Sequence, residues 1–119
     1  MVLIARALAA EPKLLILDEP ESNLDFRNQL IVLDTIKSLR DEEGISSIVN
    51  THYPDHAISI SDKSLILNRD GSSIFGDANK VITEDNLGKA FSVDVKIEDF
   101  YHYDKKYTSV FPISIATVR

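Results

Sequence analysis

The chain has 119 residues, a one-domain length, with 13 Lys and Arg against 19 Asp and Glu and a formal charge of −6. Hydrophobic residues make up 44% and charged residues 27%, a globular balance and not a disordered or fibrous one. The acidic balance argues against a protein that binds nucleic acid by neutralising phosphates, and the lack of any Cys excludes disulfide frameworks, thiol catalysis and Cys-based zinc sites.

In chain order, residues 2–10 contain no turn former, and Val2, Leu3, Ala5, Ala9 and Ala10 suit a helix with a small face. Pro12 and Lys13 end it. No capping residue precedes Val2, so the natural start of this helix is expected upstream. Leu14 to Leu17 is an unbroken apolar run, the pattern of a strand buried on both faces in a parallel sheet. It runs into Asp18-Glu19-Pro20, and two carboxylates beside a core need a reason. Ser22-Asn23-Leu24-Asp25 is loop and cap chemistry, with Asp25 as N-cap of a helix over 26–43. Phe26, Leu30, Leu33, Ile36 and Leu39 make its apolar stripe, and Gly44 stops it. Residues 46–51 read as a second buried strand ending at His52. Strand, helix, strand implies a right-handed parallel crossover.

After Pro54 a short helix is expected over 55–60, then a strand over 63–68. Arg69-Asp70-Gly71 signals a hairpin whose return strand covers 72–75. Thr83 caps a helix over 84–91, weakened by Gly88. Val93, Val95 and Ile97 alternate with charged residues, and Tyr107, Phe111, Ile113 and Ile115 recur near the C-terminus. These predict two half-exposed strands joined by a polar, Tyr-rich segment over 99–106. No apolar run approaches the ~20 residues of a membrane span. Arg6 interrupts the short stretch where a signal peptide would be apolar, so a cytoplasmic protein is expected.

The carboxyl ends of neighbouring parallel strands face one crevice. Asp18, Glu19 and His52 can therefore converge on one ligand. The buried strand ending in Asp18-Glu19 resembles a Walker B motif, and in phosphate-cleaving sites of that type positioning and charge stabilisation supply most of the catalysis.

LLILDEP, then SNLD, then a helix and a strand ending in His resembles the second half of an ABC-type ATPase, with its Walker B strand, D-loop and switch histidine in order. Arg6 fits the Ala-Arg-Ala pattern of the helix after that family's signature loop. The resemblance implies an α/β fold, the C-terminal half of a parallel-sheet P-loop NTPase, with a β-hairpin and a small C-terminal α+β extension. Residues 1–76 would be the ATPase part and residues 77–119 the extension. It implies Asp18 as the carboxylate that holds Mg²⁺ through water, Glu19 as catalytic base, and His52 as sensor of the γ-phosphate. Ser22, Asn23 and Asp25 would form the D-loop that meets a second ATPase subunit. ATP and Mg²⁺ are the implied ligands, and a membrane permease subunit is the implied partner on the cytoplasmic face. The tail from Gly76 onward resembles that of importers for iron–siderophore complexes, vitamin B12 or metal ions. Glu21 stands where the family often has Thr, and Tyr53 where Asp often follows the switch histidine.

The phosphate loop of the family has no counterpart. Gly71 and Gly76 have its spacing, but Asp77 and Ala78 stand where Lys and Ser or Thr belong. The signature loop, expected just before Met1, is also missing, as are the adenine-stacking aromatic and the glutamine loop. The expectation is a C-terminal portion of a longer ATPase, inactive by itself and self-associating through an open sheet edge. Two other readings stand beside the importer: an ABC-type ATPase of DNA repair or chromosome maintenance, and a non-catalytic interaction domain on the same scaffold. His52 and His56 are four apart, but Pro54 between them argues against a shared helix face, and hence against zinc. His102, flanked by Tyr101 and Tyr103, reads as a surface or packing residue.

Overall fold

The computed structural model describes residues 4, 6 and 8–116. The chain forms two compact units, Met1–His52 and Tyr53–Arg119. Ile4, Arg6 and Leu8 are helical and Ala9-Ala10 form a turn; residues 2, 3, 5 and 7 of the expected first helix lie outside the described residues.

The first unit is built on a strand–helix–strand crossover. Strand β1 (Leu14–Asp18) pairs in parallel with β2 (Ser46–Asn50), with Leu14 opposite Ser46, Ile16 opposite Ile48 and Asp18 opposite Asn50. Helix α1 (Phe26–Glu43) connects them. Its start is set by Asp25, whose carboxylate accepts from the Asn28 amide at 2.9 Å, and its end by Gly44 at φ +66°. Both ends fall where the sequence places them. Asp25→Ala removes the cap and is expected to cost about 1 kcal/mol, read from urea unfolding of the otherwise unchanged chain.

Leu15, Val32, Leu33, Ile36 and Leu39 are buried with Ile4 in this unit. The expected stripe is only half correct. Phe26 is 89% exposed and Leu30 60% exposed. At 100° per residue the buried arc centres on Val32, Leu33, Ile36 and Leu39, and Phe26 and Leu30 fall outside it. The strands also depart from expectation. β1 and β2 are covered on one face, not two, and alternate residues Leu14, Ile16 and Ile48 are exposed on the other. Among the described residues the buried side of the sheet is the one that carries Leu15.

The second unit begins with α2 (Pro54–Ile60), with Pro54 in its first turn. An antiparallel pair follows, β3 (Lys63–Leu67) with β4 (Ser73–Asp77). In the turn between them Gly71 adopts φ +89°, and Asp70 accepts from the Ser72 amide and hydroxyl. The hydroxyl bond, then the amide bond, hold the Asp70 carboxyl below its ordinary value near 3.8. A depressed carboxyl favours the folded turn above about pH 3.8 and loses that advantage as pH falls through its lower folded value. The Ser72 amide resonance is therefore expected to move only at pH below 3.8.

A four-residue helix, α3 (Ala78–Val81), was not foreseen; α4 (Glu84–Phe91) follows with the expected bounds. The Thr83 hydroxyl caps α4 by accepting from the Asn86 amide at 3.1 Å. Gly88 faces the Val93 carbonyl, and an added Cβ would lie 3.1 Å from that oxygen. Close approach of the next strand thus explains a residue that weakens its helix.

Strand β5 (Val93–His102) pairs antiparallel with β6 (Lys105–Ile115). The Tyr-rich segment expected as a loop is instead the far end of this hairpin. Only Tyr103 and Asp104 turn, at φ +50° and +62°. Cross-strand contacts carry the pairing outward: Phe100 stacks on Tyr107 at 5.5 Å, and the Thr108 hydroxyl donates to Asp99 at 2.6 Å. At the other end Val95, Ile97 and Val110 pack with Ala57, Ile58 and Ile66 around Ala78, Ile82 and Leu87.

Candidate functional site

The parallel register brings the ends of β1 and β2 together. Asp18 lies opposite Asn50, and the Asn50 side-chain amide donates to Asp18 Oδ1 at 2.7 Å. At Glu19 the backbone leaves the strand in the left-handed region, φ +46°. Such a conformation costs a non-glycine residue on the order of 1–3 kcal/mol and needs support from its surroundings. Support is visible in the Glu19 amide, which donates to the Asn50 carbonyl at 2.7 Å.

This turn aims Glu19 at His52. Imidazole Nε2 lies 2.5 Å from Glu19 Oε1. The two side chains are 72% and 34% exposed, His52 and Glu19 respectively. A carboxylate can accept the Nε2 proton in this geometry and can equally release itself toward an incoming water.

Between them runs a second contact. The Thr51 hydroxyl donates to Glu21 Oε2 at 3.0 Å, and Glu21 is fully buried. The Glu21 carbonyl accepts from the Gln29 side chain at 3.4 Å, tying the turn to the first part of α1. Three successive residues of one strand end thus hold three carboxylates of the other: Asn50 with Asp18, Thr51 with Glu21, His52 with Glu19. Asn50 and Thr51 escape sequence reasoning, and Glu21 enters it only as a residue that stands where the family often has Thr. The signal for Asn50 and Thr51 is the polar run Asn-Thr-His that follows Ile48-Val49.

The structure brings Asp18, Glu19 and His52 together at the joined ends of β1 and β2. Ser22 adjoins them, its amide donating to the Glu19 carbonyl at 3.2 Å. Asn23 is exposed in the left-handed region at φ +63°. Asp25 is engaged in capping α1, so its carboxylate has a local task here. His56 packs its ring against Tyr53 at 4.8 Å. His102 packs against Tyr103 at 4.3 Å.

The residues fit Mg²⁺ held through water. Asn50 occupies Asp18 Oδ1, while the side chain is exposed and its second oxygen can meet a hydrated ion. Among the described residues no three His, Asp or Glu side chains cluster to cage a metal. Mg²⁺ takes one or two carboxylates and completes its shell with water and phosphate oxygens, which this arrangement suits.

No family model matches the chain. Individual proteins do. The molybdate import ATP-binding protein MolC of Haemophilus influenzae is 34% identical over 113 residues, which span 95% of this chain and 44% of that protein. This chain is a homologue of ABC transporter ATP-binding proteins. A probable iron chelatin transport ATP-binding protein of Helicobacter pylori is 34% identical over 88% of this chain and 40% of its own length. A solved structure described as a metal-chelate type ABC transporter in an inward-facing conformation superposes with a TM-score of 0.89 at 34% identity, over 94% of this chain and 44% of that one. The fold is therefore that of an ABC ATPase. The chain spans less than half the length of these relatives.

Proposed function

We infer that the chain is the C-terminal part of the ATP-hydrolysing subunit of an ABC importer. The observation that carries this reading is the Glu19–His52 pair, 2.5 Å apart beside Asp18 at the joined ends of two parallel strands. In this reading Asp18 holds hydrated Mg²⁺, which neutralises phosphate charge when bound. Glu19 accepts a proton from the attacking water. His52 holds Glu19 through Nε2 and turns to the terminal phosphate. Ser22, Asn23 and Asp25 meet the partner ATPase subunit across the nucleotide, and residues 77–119 are an extension to the ATPase part over 1–76. The relatives named for molybdate and iron chelatin support oxyanion or metal-chelate cargo. Their names also favour transport over DNA repair and over a non-catalytic role. The protein would act on the cytoplasmic face of a membrane beside a permease subunit. Among the described residues no helix is long and apolar enough to cross a membrane.

The 119 residues contain no phosphate loop, so the chain by itself is expected to give no saturable heat with Mg-ATP in calorimetry. The exposed face of Leu14, Ile16 and Ile48 supports self-association, to be read by light scattering against concentration. The deciding test is fusion. The part of MolC outside its matched segment is joined to this chain, and Mg²⁺-dependent ATP hydrolysis is expected to appear. A folded fusion that binds ATP without turning it over would overturn the reading.

A further inference from the structure

We propose that Glu21 is a positioning residue that acts through the Thr51 hydroxyl to set His52 against Glu19. The strand ladder ends at the Asp18–Asn50 pair, and His52 lies two residues beyond it. His52 and Glu19 are both solvent-accessible, and an exposed ion pair of this kind contributes only about 0–1 kcal/mol. Such a pair does not order its own backbone. The Thr51–Glu21 bond is placed to do so. It lies one residue past the ladder, next to His52 in one segment and two residues from Glu19 in the other.

Burial makes that bond selective. Glu21 is fully buried, and a buried acceptor that loses its donor carries a desolvation cost that an exposed one does not. The hydroxyl of Thr51 is therefore held at a defined place, and with it the peptide that leads into His52. The Glu21 carbonyl is anchored in turn by Gln29 on α1. Helix, acidic turn and histidine are linked in series, so His52 is presented by the helix-anchored turn and not by its own exposed ring.

The catalytic meaning of this link rests on the reading of Glu19 and His52 as a working pair, but the link itself is tested without nucleotide. In the isotopically labelled 119-residue chain, nuclear Overhauser contacts are measured between the His52 ring protons and the Glu19 side-chain methylenes. Four variants are compared, with far-ultraviolet circular dichroism as the check of folding. Glu21→Ala and Thr51→Val are expected to lose most of the contact intensity. Glu21→Gln and Thr51→Ser, which keep an acceptor and a donor, are expected to retain it. Thr51→Val preserves shape and removes only the hydroxyl, so it decides the matter even if Glu21→Ala fails to fold. Retention of the contacts in Thr51→Val would overturn the proposal and leave Glu21 as a space-filling group. A fusion protein without turnover would break the functional reading alone and leave these contacts to be judged as they stand.

Discussion

In the fusion protein, Glu19→Gln is expected to lower kcat by roughly 10²- to 10⁴-fold while leaving KM for ATP nearly unchanged. The substitution is nearly isosteric. A glutamine carbonyl still accepts from His52 Nε2, which lies 2.5 Å from Glu19 Oε1, so the strand-end geometry survives. What it lacks is the basicity to take a proton from water. Binding and turnover should therefore separate. His52→Ala should also spare binding and impair turnover, whereas Asp18→Ala should weaken Mg²⁺-dependent binding. Steady-state hydrolysis across a Mg²⁺ series separates Asp18→Ala from the other two. Unchanged kcat in Glu19→Gln would remove the carboxylate from the chemistry.

Leu87→Ala is expected to destabilise the second unit by about 2–5 kcal/mol. Leu87 is 2% exposed and sits with Ala78 and Ile82 at the centre of the cluster that Val95, Ile97 and Val110 complete. Truncation removes apolar burial and leaves a cavity. The walls cannot close on it easily, because α4 is pinned by the Thr83 cap and by the tight approach of Gly88 to Val93. All four tyrosines, Tyr53, Tyr101, Tyr103 and Tyr107, lie in this unit, and the chain has no Trp. Tyrosine emission during urea unfolding therefore reports on this unit alone. A midpoint unchanged from the parent chain would show that the cluster is not the core of its fold.

Helix ends were legible because capping is local. Asp25, Gly44 and Thr83 act within three or four residues of themselves, and each marks its helix end where the structure has it. Strand faces were harder to read. The run Leu14–Leu17 looks buried on both sides because its composition is uniform, but exposure depends on what covers each side, and Ile16 is 75% exposed. The outer hairpin was missed for a related reason. Tyr, Asp and Lys over 99–106 look like loop, and only pairing across the strands, as in Phe100 with Tyr107, makes them sheet. The order of Asp18, Glu19 and His52 was readable because each stands at a strand end. The bonds from Asn50 and Thr51 were not, since they follow from a register that joins positions about thirty residues apart.

The tight two-residue turn at Tyr103-Asp104 also bears on how the chain reaches its fold. Residues of β5 and β6 meet across short sequence separations, and such a hairpin zips in roughly 1–10 μs. β1 and β2 are separated in sequence by an 18-residue helix, and pairings over longer separations are slower. Carboxylates and histidine would therefore come together late, after the hairpins have closed. A chain emerging from the ribosome would display its acidic turn before the strand that completes it has been made. Pulse-labelled hydrogen exchange should show β5 and β6 amides protected before those of β1.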